Sequence, residues 1–187
     1  MSLMIKKMTL LMQLEGGSSQ LEPESFDAAE LLRNLMQKSA ILFAEKHAQV
    51  VPPAERPVMV RADAFLIENV LTNYLSNALH HVRDGGVISG TIRRAGDDRV
   101  RISVYNDGDL IPPDDLARVW ESFYKVDKAR TRAYGGTGIG LSVVAAIMRA
   151  HGMPYGVFNR RDGDITGVEF YIELEQAVPG EGGFPNE

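Results

Sequence analysis

At 187 residues, 44% of them apolar and 24% charged, the chain has the make-up of one globular domain with a proper core and room for a short appendage. A formal net charge of −5 argues against nucleic acid or an anionic membrane surface as the principal partner. The lack of cysteine rules out disulfides and thiol chemistry, no apolar run approaches a membrane span, and neither a secretion signal nor an internal repeat is visible.

Residues 1–3 look like a cloning scar and are set aside. Residues 4–15 place Met4, Met8, Leu11 and Leu14 at helical spacing, and Gly16-Gly17-Ser18-Ser19 stops the helix. So short a helix is marginal alone. It reads either as the cut end of a longer bundle helix or as a terminal helix lying on the main domain. After a linker over residues 16–25, Asp27 is predicted to open a helix with a capping box to Glu30 and a staple from Phe26 to Leu31. Leu31, Leu32, Leu35, Ile41, Leu42 and Ala44 carry that helix to about residue 46. Pro52-Pro53 then forces extended chain, and residues 57–60 read as a short strand.

Asp63 is a candidate N-cap for a second long helix, reaching about residue 82. Ile67, Leu71, Tyr74, Leu75, Ala78 and Val82 form its apolar stripe. Asn73 and Asn77 lie four positions apart, hence on one side of the axis, and with His80 and His81 they make an adjoining polar edge. Asparagine is a poor helix former, so this edge is either a solvated face or the lining of a site. Residues 83–86 form a turn into two alternating strands, 87–93 and 100–105, a hairpin with one wet face. The second strand runs into Asn106-Asp107-Gly108-Asp109-Leu110-Ile111-Pro112-Pro113, a polar turn before a helix predicted over residues 114–121. Trp120-Glu121-Ser122-Phe123-Tyr124 follows, and then a charged, aperiodic segment to Tyr134. Loops of that length inside a compact domain are usually functional lids.

Gly135-Gly136-Thr137-Gly138-Ile139-Gly140-Leu141 follows, and the run behind it has Leu141, Val144, Ala145 and Met148 at helical spacing. Each glycine costs roughly 0.5–1 kcal/mol against alanine in a regular element, so a cluster needs another purpose. Two readings fit: a flexible hinge, or a cradle in which bare N–H groups at a helix start meet an anion. The cradle is not a Walker loop, because no Lys-Ser or Lys-Thr follows the last glycine. Nor is it a dinucleotide fingerprint, because no apolar strand precedes it. His151-Gly152 ends the helix, residues 155–159 and 168–174 are closing strands, and residues 177–187 read as a disordered tail.

The order of these pieces resembles the ATP-binding domain of sensor histidine kinases, which shares its fold with gyrase, mismatch-repair ATPases and a large heat-shock chaperone. Asn73-Tyr-Leu-Ser-Asn77-Ala78 looks like the family's N box, Asn106-Asp-Gly108 its first glycine box, Trp120-Glu-Ser-Phe123-Tyr124 its F box and Gly136-Thr-Gly138-Ile-Gly140-Leu141 its second glycine box. The resemblance implies an α+β fold, a two-layer sandwich with a mixed, mostly antiparallel sheet packed on helices. It places a catalytic domain over residues 26–176 with a mobile ATP lid over about 109–136. By the same resemblance, residues 4–15 would be the end of the second dimerisation helix. The phosphoacceptor histidine would lie outside the chain, since His47, His80, His81 and His151 sit in the wrong context for it.

The resemblance further implies ATP and Mg²⁺ as ligands. Asn106 would accept from the adenine amine, where the family more often has Asp, and Gly108 would let the base approach. Asn77 would ligate Mg²⁺, with Asn73 holding a metal-bound water; no residue is assigned a certain catalytic role, and Asn73 is the candidate. His80 and His81 would meet phosphate and base edge, and Lys125 and Arg130 of the lid would meet the triphosphate, with Arg132 a weaker candidate. Phe123 and Tyr124 would pack the lid's root. Gly136, Gly138 and Gly140 would offer N–H groups, with Thr137 capping the helix and Ile139 and Leu141 completing the motif. The implied partners are the protein's own dimerisation and phosphoacceptor domain and a response regulator, with no nucleic acid and no membrane contact by this part. The whole protein would be a homodimer in the cell membrane, with this domain in the cytoplasm. An ATP-gated interaction module or a gyrase-like ATPase is the competing reading; the ATPases place an acidic base one turn before the metal-binding asparagine, where this chain has Asn73.

Overall fold

In the computed structural model, residues 3–17, 20–124, 126 and 138–177 are described. Seven strands form one sheet: β1 (Glu24–Asp27), β2 (Gln49–Val51), β3 (Met59–Ala62), β4 (Val87–Arg94), β5 (Arg99–Asp107), β6 (Tyr155–Asp162) and β7 (Ile165–Gln176). Their order is β1-β3-β7-β5-β4-β2, with β6 also on β7. All pairs are antiparallel except β2 with β4. The predicted mixed, mostly antiparallel sheet is therefore present. Along β5 and β7, Val100, Ile102 and Val104, and Val168, Phe170, Ile172 and Leu174, point to the buried face at the two-residue period of a half-wet sheet.

Five helices accompany the sheet among the described residues: α1 (Leu3–Glu15), α2 (Ala28–Lys38), α3 (Ala40–Glu45), α4 (Ala64–His81) and α5 (Gly140–His151). The core joins Leu32, Leu35 and Met36 of α2, the α4 stripe and Val143, Val144, Ile147 and Met148 of α5 to the buried sheet face. Gly90 lets α2 come close, since a Cβ there would stand 2.9 Å from both Leu32 and Met36. Asp63 caps α4 by accepting from Leu66 N at 3.0 Å, and all six residues of the predicted stripe are buried.

Several expectations are corrected. The helix predicted from Asp27 breaks at Ser39, whose hydroxyl donates to Leu35 O, and the second piece, α3, turns so that Phe43 is buried while Ile41 and Leu42 are exposed. Asp27 Oδ1 accepts from Ala29 N and from Val58 N, each at 2.9 Å, so the cap ties the helix start to the chain entering β3; the short strands β1 and β2 carry no alternation long enough to read. The helix predicted over 114–121 is two single 3-10 turns, Pro113–Asp115 and Arg118–Trp120, of which only Val119 is buried. Residues 3–15 are helical as predicted, but the inward face is Leu10, Leu11 and Leu14, with Met4 and Met8 exposed. With apolar residues on several sides, the rotation of α1 is decided by the surface it meets, which is α5. Of the predicted tail, only Ala177 lies within the described residues.

Candidate functional site

Two glycines clasp α4 from opposite ends of its polar edge. Gly140, the first residue of α5, approaches so closely that a Cβ would stand 2.9 Å from Asn73 Oδ1. Gly108, in the turn after β5, would place a Cβ 2.5 Å from the His81 carbonyl oxygen. Asn73 and His81 are eight residues apart on one helix, about 12 Å at roughly 1.5 Å per residue. Asn77 lies midway on the same ridge and is half-buried. The N-terminus of α5 and the turn after β5 thus mark the two ends of a candidate cleft along the Asn73-Asn77-His81 ridge.

Each wall is held in place by identifiable bonds. Asn73 is buried; its Nδ2 donates to Asn69 O at 2.9 Å, which turns Oδ1 toward α5. Gly138 takes φ +71°, and its carbonyl accepts from Phe123 N at 2.8 Å, so the aromatic segment closes onto the glycine turn. Ile139 is fully buried, and Ser142 Oγ donates to its carbonyl at 2.9 Å, fixing the first turn of α5. Leu141 is half-buried and packs on the core. At the other end Gly108 N donates to Thr166 O at 2.9 Å, while Thr166 Oγ1 donates to Gly108 O at 2.9 Å. The Arg83 guanidinium also donates to Gly108 O and Thr166 O. Asn106 is buried, its Nδ2 donating to Asp107 O at 3.2 Å. Asp107 is spent on structure: it accepts from Val87 N and from the Tyr105 hydroxyl at 2.6 Å. Burial, and then that bond to Asp107, push the Tyr105 hydroxyl up to about 12.

The structure therefore brings Asn73, Asn77, Gly138, Ile139, Gly140 and Leu141 to one place and Asn106, Gly108 and His81 to the other end of the same ridge. His80 is half-buried and its ring meets Ser76 O on its own helix, while His81 is exposed. Lys125, Arg130, Arg132, Gly136 and Thr137 lie outside the described residues. One packing expectation is corrected: Phe123 is exposed, at φ +64°, and it is Trp120 that anchors the segment, edge-on to Tyr155 and Phe170 at 4.9 and 5.8 Å. The half-buried indole makes that aromatic contact, and Phe123 stays outside it. Tyr124 instead donates to Asp115 at 2.5 Å under the Arg118 guanidinium.

Sequence reading missed four participants. Lys7 Nζ donates to Asn73 Oδ1 at 2.6 Å, and burial holds its ammonium below the usual lysine range. Arg83 and Thr166 staple the turn at Gly108, and Asn159 holds Ile111 by both its N–H and its carbonyl, at 2.9 and 2.7 Å. None of these has a local signal, since each acts across at least 25 positions of sequence.

The donor set bears on which ion would fit. Among the described residues no group of three or more His, Cys, Asp or Glu is placed to hold a metal. What faces the α5 N-terminus is amide oxygen, a hard donor suited to a cation that brings phosphate and water as its other ligands. None of the described helices is long and apolar enough to cross a membrane.

Residues 62–177 match the family described as histidine kinase-, DNA gyrase B- and HSP90-like ATPases. The sensor protein IrlS of Burkholderia pseudomallei is 34% identical over 157 residues, which are 84% of this chain and 33% of that protein; this chain thus spans about a third of that relative. The nucleotide-free catalytic domain of the histidine kinase ThkA is 26% identical, with a TM-score of 0.71, covering 83% of this chain and 96% of that one. Full-length ShkA in complex with AMPPNP shares the fold, at 24% identity and a TM-score of 0.78, over 93% of this chain and 35% of that one.

Proposed function

We propose that this chain, which belongs to the family of histidine kinase-, DNA gyrase B- and HSP90-like ATPases, is the catalytic part of a sensor histidine kinase that binds MgATP and offers its γ-phosphoryl group to a histidine outside the chain, for relay to a response regulator. The observation that carries this reading is the contact of Gly140 with Asn73 Oδ1, which sets the bare start of α5 against the amide edge of α4.

Phosphoryl transfer asks for alignment and charge neutralisation rather than for a protein nucleophile. The start of α5 supplies unpaired N–H groups and the positive end of a helix dipole to phosphate oxygens. Asn77 and Asn73 are the oxygens that would hold Mg²⁺ or its water, and the bound cation supplies charge neutralisation along the triphosphate. Asn106, buried beside Gly108, would meet the adenine edge; Gly108 lies against His81, about 12 Å of helix from Asn73, a separation of nucleotide size. Asn73 argues against the gyrase-like reading, because an amide cannot take a proton from an attacking water as a carboxylate does.

A calorimetric titration with a nonhydrolysable ATP analogue, with Mg²⁺ and with chelator, tests nucleotide binding. Asn77→Ala is expected to remove the Mg²⁺-dependent part of the affinity while leaving the melting temperature unchanged. Mixing with a separately made dimerisation domain is expected to give phosphohistidine in trans; steady-state hydrolysis of ATP with no transfer would favour an ATPase instead.

A further inference from the structure

The asparagine assigned to the metal's shell is already covered. Lys7 of α1 donates to Asn73 Oδ1 at 2.6 Å, and that oxygen is the atom which the neighbouring Nδ2–Asn69 bond turns toward α5. We propose that Lys7 is a built-in competitor for the cation of the nucleotide: its ammonium takes the Asn73 oxygen, keeps α1 across the phosphate end of the cleft, and has to leave before a metal–triphosphate complex can use that oxygen. This inference rests on the role given to Asn73 above.

Three observations support it. First, an ammonium and a divalent cation held on one amide oxygen would repel each other at contact distance, so the two compete for it. Second, Lys7 shares a helical face with Leu10, Leu11 and Leu14, the residues by which α1 packs on the core. Seating α1 and covering Asn73 are therefore one event. Third, the bond is a reversible kind of latch. Among the described residues no carboxylate forms an ion pair with Lys7; its recorded partner is a neutral amide. The start of α5 also turns its positive end toward this spot, so the helix gives an ammonium no help there, whereas it favours a phosphate. A nucleotide arriving with its cation supplies everything the latch lacks, and α1 becomes the element through which a preceding domain could set nucleotide affinity.

The test compares the chain with Lys7→Met and with Leu11→Ala, which loosens α1 while leaving the Lys7 side chain in place. Each is titrated with the nonhydrolysable ATP analogue in Mg²⁺ and in chelator, and hydrogen exchange is followed at the α1 amides. Both variants are expected to tighten binding in Mg²⁺ by about three- to tenfold, because the apparent affinity rises by the reciprocal of the open fraction. Affinity in chelator should stay the same. In the unchanged chain, saturating Mg²⁺ and analogue should raise exchange in α1, and Lys7→Met should raise it with no nucleotide present. Weaker analogue binding by Lys7→Met would make the ammonium a phosphate ligand and overturn the proposal; so would equal affinities, or α1 exchange indifferent to nucleotide. If the unchanged chain binds no nucleotide at all, the reading of the site fails, and with it the competition. If it binds and the variants match it, only the competition fails.

Discussion

At the scale of single residues, the decisive contacts are those where a side chain is missing. An alanine at position 140 would stand at the start of α5, where helix propensity alone favours it over glycine by roughly 0.5–1 kcal/mol. Its methyl, however, would lie 2.9 Å from Asn73 Oδ1. The side chain can rotate, so Gly140→Ala is expected to change stability by under about 1 kcal/mol. The same substitution should weaken Mg²⁺-dependent binding of an ATP analogue by about tenfold, since the displaced oxygen no longer faces the cleft. A melting curve and a calorimetric titration separate the two effects, and unchanged affinity would remove Asn73 from the site. Tyr105 gives a pH test. Its hydroxyl is raised to about 12 in the folded chain from an ordinary 10.0, by burial first and by its bond to Asp107 second, so the folded chain favours the neutral phenol; that stability is fully present below pH 10 and is lost as the pH climbs to 12. The stability gap between the chain and Tyr105→Phe should thus be constant below pH 10 and shrink above it in denaturant midpoints; a gap flat to pH 12 would contradict this. The asparagines and glycines of the cleft were legible in sequence because each is a poor choice for its element unless something else requires it. Lys7 was not, since a lysine on a short amphipathic helix looks the same whether it meets water or Asn73.

At the scale of elements, legibility followed the length of the periodic signal. The α4 stripe runs along an 18-residue helix, and its cap and its buried face came out as expected. The stretch from Asp27 carries the same kind of pattern, yet Ser39 divides it, because a serine bonded to the carbonyl four back competes with helix continuation and nothing in the local spacing declares which wins. The segment after Gly108, read as a polar turn leading into a helix over 114–121, is held by a strand. Asn159 of β6 both accepts from Ile111 N and donates to Ile111 O, which is the pairing a neighbouring strand residue would give. This two-point clip fixes where the chain leaves the Gly108 end of the cleft. Asn159→Ala is expected to cost roughly 1–2 kcal/mol for two lost bonds, one side of each left to water. Limited proteolysis should then cut more readily near residues 109–113, with the rest of the chain no more sensitive than before. Equal cleavage patterns would show that the turn is held by Arg83 and Thr166 alone.

For the whole molecule, the sheet separates two unlike surfaces. Its buried face carries the helices and, through α4 and α5, the cleft. Its other face carries Arg93, Arg99, Arg101 and Arg160 around a hollow of about 460 Å³, with Glu169 and Glu173 set into the floor. Glu173 is 6% exposed and accepts from Arg99 at 3.0 Å and from Arg101 at 3.1 and 2.7 Å, while Arg93 stands directly across from Arg101 in the β4–β5 register. One carboxylate therefore keeps the guanidiniums of Arg99 and Arg101, two residues apart on β5, from repelling each other. Removing its charge leaves arginines that are 40% and 39% exposed and can turn to water, so the loss falls well below that of a fully buried pair. Glu173→Gln is expected to cost about 1–3 kcal/mol at low salt and less at high salt, where screening relieves the arginine repulsion. Because Val100, Ile102 and Val104 separate this face from the helices, nucleotide affinity should not change. Denaturant unfolding at two ionic strengths beside an ATP-analogue titration checks both parts. A stability loss independent of salt would mean that Glu173 acts by packing, and an altered affinity would mean that the two faces of the sheet are coupled.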